Sequence, residues 1–82
     1  MSFIVYGKDL CPNCDKAVAM LNMRGQQFVM KKLDKDYQVQ ELWDVAGEPV
    51  RMLPYIVEVD EGSGNVINKI GSVDNLTKRL ME

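Results

Sequence analysis

Cys11-Pro12-Asn13-Cys14 lies between a short apolar run, Phe3-Ile4-Val5-Tyr6, and a helix-forming segment, residues 15–24. These are the only two cysteines of the 82-residue chain, and they stand where a strand gives way to the start of a helix. Pro12 suits the first helical position, where the missing N–H of proline costs nothing. We therefore expect Cys11 to be exposed at the mouth of the helix and Cys14 to be more buried.

The start of a helix favours negative charge on a sulfur atom, because its first backbone N–H groups are unpaired and the helix dipole is positive there. A cysteine of a Cys-X-X-Cys motif at this place has a pKa below the usual value of about 8.5. Lys8 adds a positive charge nearby, which Asp9 partly offsets. The sequence thus predicts Cys11 as the nucleophile and Cys14 as the thiol that resolves a mixed disulfide on Cys11.

The composition limits the other possibilities. A chain of 82 residues with 46% hydrophobic and 27% charged residues predicts one globular domain, residues 1–82. A net charge of −2 indicates no nucleic-acid-binding face, and no apolar run reaches the roughly 20 residues that span a bilayer. The first strand begins within two residues of the N-terminus and leaves no room for a signal peptide, so we expect a cytoplasmic protein.

Two kinds of site are disfavoured by the residue types present. The chain has no histidine, which excludes a Cys–His nucleophile pair. Two cysteines without histidine also supply only half of the usual four zinc ligands, so no metal site is expected within one chain. In a cytoplasmic protein a close cysteine pair is more often catalytic or metal-binding than a permanent disulfide.

The remaining patterns predict the element order β-α-β-α-β-β-α. Apolar alternation and turn residues indicate four strands, at residues 2–6, 27–33, 55–59 and 66–70. Helical periodicity and capping residues indicate three helices, at residues 15–24, 37–46 and 73–81. Gly47 is a suitable stop for the second helix, and Ser72 a suitable N-cap for the third. Pro54 precedes the third strand, a position that tolerates proline.

Three blocks of the sequence together resemble the glutaredoxin family, whose members have the thioredoxin fold. The first is Tyr6-Gly7-Lys8 ahead of the cysteine motif. The second is Leu53-Pro54, which resembles the family's Thr-Val-Pro segment with its cis-proline. The third, Ile-Gly-Ser-Val-Asp-Asn-Leu at residues 70–76, resembles Ile-Gly-Gly-x-Asp-Asp-Leu. The short chain is most similar to the small phage-encoded glutaredoxins, and the fold implied is a thioredoxin-like three-layer α/β fold around a four-stranded mixed sheet.

The resemblance implies a glutathione-dependent thiol–disulfide oxidoreductase that uses the two cysteines, with glutathione as co-substrate rather than as a tightly bound cofactor. Lys8 and Arg51 would hold the glycine carboxylate of glutathione, and the backbone of Leu53 would pair with its cysteine. Val73 and Asp74 would bind its γ-glutamyl end. The complete set of implied glutathione- and substrate-binding residues is Lys8, Pro12, Asn13, Arg51, Met52, Leu53, Pro54, Ser72, Val73 and Asp74.

The same resemblance implies partners. They are glutathione and disulfide-containing proteins such as ribonucleotide reductase. We expect the protein to be a monomer that binds neither nucleic acid nor membrane. Three residues depart from the family pattern: Asn13 replaces a usual tyrosine, Met52 a threonine, and Ser72 the second glycine. These changes concern the strength of glutathione binding more than the disulfide chemistry.

Other interpretations stay open at this point. A redoxin reduced by thioredoxin reductase, with weak affinity for glutathione, would use the same cysteines. A dimer that holds an iron–sulfur cluster through Cys11 and glutathione is a second alternative, and zinc shared between two chains is a third. The simpler interpretations are buried structural thiols, an ordinary trans Pro54, solvated charges at Lys8 and Arg51, and Asp74 as a favourable acid in the first turn of a helix.

Overall fold

A computed structural model of the protein describes residues 2–81 and has the seven predicted elements in the predicted order. The strands are β1 (Ser2–Gly7), β2 (Gln27–Lys32), β3 (Tyr55–Val59) and β4 (Val66–Gly71). The helices are α1 (Pro12–Met23), α2 (Val39–Ala46) and α3 (Val73–Met81). One mixed sheet has the strand order β2-β1-β3-β4, with β1 parallel to β2 and antiparallel to β3.

β1 is a central strand, and its alternating side chains enter two separate cores. The core beneath α1 and α3 consists of Phe3, Val5, Ala17, Leu21, Ile56, Ile70, Val73 and Leu76. The core beneath α2 consists of Tyr6, Tyr37, Leu42, Val57 and Val59. Helices therefore cover both faces of the sheet, which explains the uninterrupted apolar sequence of β1 and confirms the predicted three-layer α/β architecture.

The start of the second helix and one core residue are predicted wrongly. α2 begins at Val39 rather than at residue 37, because Tyr37 forms a backbone bridge with Leu33 and buries its side chain against the sheet. The apolar residues of the third helix, which include Leu80 and Met81, are expected to pack on the sheet. Met81 is instead 70% exposed, at the rim of a groove between α1 and α3. Leu80 does pack against the core, as predicted.

A buried ion pair ties α3 to the sheet. Glu58 on β3 is only 2% exposed, and strand alternation puts it on the same face as Ile56, beneath α3. Arg79 donates from Nε to Oε1 at 3.2 Å and from Nη2 to Oε2 at 3.0 Å. The two donors satisfy both oxygens of the carboxylate, which compensates for its removal from water.

We predict that Arg79→Ala lowers the free energy of unfolding by about 2 kcal/mol. Loss of one partner from a buried pair costs about 3–5 kcal/mol, and the value here is reduced because Arg79 is itself partly exposed. Lys78→Ala, at the adjacent exposed position, is the matched control and should change stability by less than about 0.5 kcal/mol. Urea unfolding followed by circular dichroism measures both variants, and equal effects would contradict the role of the ion pair.

Candidate active site at the cysteine pair

The two cysteines lie at the start of α1, as predicted. Cys11 is the N-cap residue with an extended backbone, and Pro12 occupies the first helical position. The Sγ atoms of Cys11 and Cys14 are joined in a disulfide, and their Cα atoms are 5.2 Å apart. The backbone N–H of Cys14 donates to Cys11 Sγ at 3.2 Å. In the reduced protein this donor is placed to stabilise a thiolate at Cys11.

The prediction that Cys11 is exposed is wrong for this disulfide form. Cys11 is 6% exposed and Cys14 is 1% exposed, so only the predicted order of burial is confirmed. As the N-cap, Cys11 turns its side chain toward the helix and toward Cys14 rather than into solvent. The exposed surface around the sulfur atoms is formed instead by the neighbouring residues Leu10, Pro12 and Asn13.

Gly7, at the end of β1, allows Cys14 to lie directly against the sheet. A Cβ atom at Gly7 would be 2.6 Å from Cε of Met30 and 2.8 Å from Sγ of Cys14, which is closer than van der Waals contact. The carbonyl of Gly7 accepts the Tyr37 hydroxyl at 3.0 Å and the backbone N–H of Leu33 at 2.8 Å. These two hydrogen bonds fix the strand end on which the disulfide rests.

Tyr37 makes its hydrogen bond from a buried position. Burial raises the pKa of Tyr37 to about 12, and the neighbouring Tyr6 and Asp34 add to the rise. The Tyr37 ring meets the Tyr6 ring edge to face, with 5.0 Å between the centroids. Burial also raises the pKa of Tyr6, with a further contribution from the charge of Glu41. Tyr37 therefore remains a neutral donor to Gly7 well above neutral pH.

An open cleft of about 510 Å³, here called the front cleft, lies between the start of α1, the segment 48–55 and the start of α3. Eight of the ten predicted binding residues line it: Asn13, Arg51, Met52, Leu53, Pro54, Ser72, Val73 and Asp74. The fold thus brings Asn13 of the cysteine motif together with the second and third sequence blocks, which are far from it in the chain. Lys16, Glu48 and Tyr55 also line the front cleft, although they were not predicted.

Lys8 lies in a second cleft of about 230 Å³, here called the side cleft. Arg51 and Leu53 line both clefts, so the segment that contains them forms the ridge between the two. Lys8 and Arg51 therefore border the same cleft, as is required of two cations that hold one carboxylate. Pro12 is exposed and lines neither the front cleft nor the side cleft.

Asp9 does not offset the charge of Lys8 in the predicted way. Its carboxylate is bound by Lys35 at 2.8 Å and by Lys32 at 3.0 Å. The hydrogen bonds from Lys35 and then Lys32 lower the pKa of Asp9. Because these two lysines already balance Asp9, Lys8 contributes a positive charge beside the side cleft.

The ridge between the clefts is formed by an irregular segment before β3. The Leu53–Pro54 peptide bond is cis, as the resemblance implies, and Pro54 is buried. The paired part of β3 begins at Tyr55, so the backbone of Leu53 lies outside the ladder that joins β3 to β1. An extended peptide in the cleft can pair with Leu53 in the manner of an added strand.

The start of α3 forms the far end of the front cleft. Ser72 caps the helix as predicted, because its Oγ accepts the N–H of Asn75 at 3.3 Å. The N–H groups of Val73 and Asp74 are the first two of α3, and a helix supplies no partner for such groups. These donors suit a carboxylate, and the exposed carboxylate of Asp74 suits an ammonium group.

Lys16 lines the front cleft and was not predicted, although its spacing from Asn13 indicates this position. It follows Asn13 by three positions, and residues with this spacing on a helix share one face. Glu48 and Tyr55 gave no such signal, since their place in the front cleft depends on the path of the segment between them.

Within the described residues 2–81, no three side chains of His, Cys, Asp or Glu are grouped so that they could hold a metal ion. None of the helices in this part of the chain is both long enough and apolar enough to cross a membrane.

We predict that stability falls as the pH rises above about 10, the pKa of tyrosine in an unfolded chain. The contribution of Tyr37 is complete below that value and is lost as the pH rises through its folded-state pKa of about 12. Tyr37→Phe removes this part of the pH dependence and, by deleting a buried hydrogen bond, costs about 1 kcal/mol at neutral pH. Urea unfolding at a series of pH values tests this, and identical pH dependence in both proteins would refute it.

Comparison with known proteins agrees with this architecture. Residues 5–80 match the protein family described as "Glutathione S-transferase, N-terminal domain". Comparison with curated proteins gave no match by sequence.

Several solved glutaredoxins are similar in structure. The similarity to wheat glutaredoxin has a TM-score of 0.71 at 19% identity and covers 100% of this chain and 73% of that one. The similarity to buckwheat glutaredoxin in complex with glutathione has a TM-score of 0.68 at 18% identity and covers 94% of this chain and 66% of that one. The similarity to glutaredoxin 1 from Francisella tularensis in complex with cacodylate has a TM-score of 0.67 at 18% identity and covers 95% of this chain and 90% of that one. This chain thus spans slightly less than two thirds of the buckwheat protein.

Proposed function

The chain belongs to the glutathione S-transferase N-terminal domain family and has the fold of the glutaredoxins, and from this premise we propose that it is a glutathione-dependent thiol–disulfide oxidoreductase. A cysteine pair of this spacing on this fold is the arrangement of a disulfide oxidoreductase. The observation that carries the proposal is the Cys11–Cys14 pair at the start of α1, with the front and side clefts meeting at Leu53.

The reductive half of the cycle uses the two sulfur atoms in sequence. The thiolate of Cys11 attacks a substrate disulfide, forms an S–S bond to one substrate sulfur, and releases the other, which takes up a proton. The thiol of Cys14 then loses its proton and attacks Cys11 Sγ, which releases the second substrate sulfur and closes the Cys11–Cys14 disulfide. Two electrons pass from the protein to the substrate; the first released sulfur takes its proton from solvent, and the second takes the proton that Cys14 loses.

Glutathione completes the cycle at Cys11. One glutathione thiolate attacks Cys11 Sγ and displaces Cys14, which is protonated. A second glutathione attacks the glutathione sulfur of the mixed disulfide, so that oxidised glutathione leaves and Cys11 is again a thiolate. Each reduced substrate disulfide thus consumes two glutathione molecules. Cys14 is the poorer target for external thiols, because it is the more buried of the two sulfur-bearing residues.

The two clefts suit the two charged ends of glutathione. A tripeptide whose sulfur is bonded to Cys11 can pair its central backbone with Leu53, which lines both clefts. Its γ-glutamyl end then reaches the start of α3, where Asp74 and the first N–H groups suit an ammonium and a carboxylate. Its glycine carboxylate reaches Lys8 and Arg51 in the side cleft. The buckwheat neighbour, solved as a glutathione complex, supports glutathione as the ligand.

We predict that Cys11→Ser abolishes the reduction of every disulfide substrate, since it removes the nucleophile. Cys14→Ser should retain activity on glutathione mixed disulfides, which need only Cys11, and should lose activity on protein disulfides. The oxidation of NADPH in an assay coupled to glutathione reductase measures both activities. Activity in Cys11→Ser would overturn the assignment of the nucleophile, and equal loss in both variants would remove the route that uses Cys11 alone.

We also predict that Lys8→Gln and Arg51→Gln each raise the KM for glutathione about tenfold, the effect of one lost charge-assisted hydrogen bond at roughly 1.4 kcal/mol. The value of kcat should change less, because neither residue contacts the sulfur atoms in the proposed complex. Lys78→Gln is the matched control, since Lys78 is exposed on α3 and lines neither the front cleft nor the side cleft. An unchanged KM in both variants would show that the glycine carboxylate binds elsewhere.

A second electron donor is favoured by one observation. Asn13 and Met52, both exposed at the front cleft, lack the aromatic ring and the hydroxyl that the glutaredoxin pattern has at these positions. Thioredoxin reductase with NADPH is therefore the alternative donor. Parallel assays with each donor decide between them, and rapid turnover with thioredoxin reductase alone would favour the alternative. Ribonucleotide reductase as substrate, monomeric action and a phage origin remain predictions from the resemblance, and a cytoplasmic location remains a prediction from the sequence.

A further inference from the structure

Leu10, the residue immediately before Cys11, combines two features that are unfavourable for folding. Its side chain is 99% exposed to solvent. Its backbone is in the left-handed region, with φ of 55°. A branched side chain rarely adopts this conformation, whereas glycine and asparagine adopt it at lower cost. Leucine at this position thus contributes to stability neither through its backbone nor through burial.

Leu10 belongs to a third cleft, which shares no residue with the front cleft and meets the side cleft only at Lys8. This rear cleft has a volume of about 370 Å³ and lies between the loop 8–10, α1 and β2. Its apolar lining consists of Leu10, Val18, Ala19 and Met30, none of which lines the front or side cleft.

The rear cleft and the front cleft lie on different faces of α1. Asn13 and Lys16 line the front cleft, and Val18 and Asn22 line the rear cleft. With 3.6 residues per turn, the first pair and the second pair point to opposite sides of the helix. The γ-glutamyl end of a glutathione molecule in the front cleft therefore lies on the far side of α1 from the rear cleft and does not cover Leu10.

The charges that line the rear cleft favour neither a positively nor a negatively charged partner. Lys8 and Lys32 contribute two positive charges to its lining, and Asp9 and Asp15 contribute two negative charges, so the net charge is zero. What remains for recognition is the exposed leucine next to the nucleophile and the apolar floor behind it.

We propose that Leu10 and the rear cleft bind the protein part of a disulfide substrate while it is joined to Cys11, and that the partner segment carries an apolar side chain beside its cysteine. The inference rests on the proposed disulfide chemistry at Cys11. Contact with such a side chain removes Leu10 from water, which is favourable only in the complex. A small disulfide without an apolar neighbour gains nothing from this contact. Leu10 is thus a specificity residue that distinguishes protein disulfides from small ones.

The test uses Leu10→Asn, because asparagine accepts the left-handed backbone but lacks the apolar side chain. The pre-reduced protein is mixed in single turnover with insulin or with bis(2-hydroxyethyl) disulfide, in the absence of any donor. We expect the second-order rate constant for insulin to fall about tenfold. The rate constant for the small disulfide should stay within about twofold of wild type. The thermal unfolding midpoint should rise by a few degrees, roughly as expected for relief of left-handed strain.

Two further variants complete the experiment. Leu10→Met keeps an apolar side chain and should retain most of the rate with insulin. Met23→Gln removes an apolar side chain that is 85% exposed at the other end of α1, and should alter neither rate. Since no glutathione is present, a failure of glutathione as the electron donor leaves this result unaffected.

Two outcomes would overturn the proposal. An insulin rate that is unchanged in Leu10→Asn would show that the leucine side chain does not contact the protein substrate. Equal losses with insulin and with the small disulfide would show that Leu10 acts on Cys11 itself rather than on the partner.

Discussion

The contact between Cys14 and Gly7 is the constraint on which the site depends. Because Gly7 has no side chain, Cys14 can lie against the end of β1 at a distance that a Cβ atom would prevent. This contact fixes the first turn of α1 on the sheet, and with it the position of Cys11 as N-cap. The hydroxyl of Tyr37 and the N–H of Leu33 hold the Gly7 carbonyl from the other side. The disulfide therefore rests on a strand end that is itself immobilised.

The same packing makes the two sulfur atoms chemically unequal. Cys14 is enclosed between α1, Gly7 and Met30, so it can react readily only with its neighbour. Cys11 receives the N–H of Cys14 and lies between residues that face solvent. An enclosed thiol beside an activated one is the arrangement that lets a mixed disulfide form at one atom and be resolved by the other.

The rest of the fold aligns binding surfaces with this pair. The Glu58–Arg79 ion pair connects α3 to β3, and the start of α3 forms one wall of the front cleft. The segment before β3 separates the front cleft from the side cleft, so that one ligand can contact both. On the opposite face of α1, Leu10 retains an exposed apolar side chain at a cost in local conformational energy. Such a departure from the most stable choice is typical of a functional position.

Much of this protein follows from short segments of sequence. The seven elements and their order arise from hydrophobic periodicity and from caps such as Gly47, whose φ of 79° ends α2, and Ser72, which begins α3. The position of the cysteine pair at the start of a helix also follows from nearby residues, because the spacing of the two cysteines and Pro12 predict it. The candidate binding residues were predicted from the family resemblance, because no local pattern indicates which remote segments of the chain lie together.

Only the tertiary structure decided the features that depend on distances between remote segments. In the folded chain Tyr37 lies outside α2 and donates a hydrogen bond to Gly7, Cys11 is buried, and Glu58 pairs with Arg79. It also placed Lys8 at the side cleft and Leu10 at the rear cleft, whereas the start of α3 lines the front cleft. The physical reason is that propensities and caps act over a few residues, whereas burial, ion pairing and clefts are set by the packing of elements that the sequence separates.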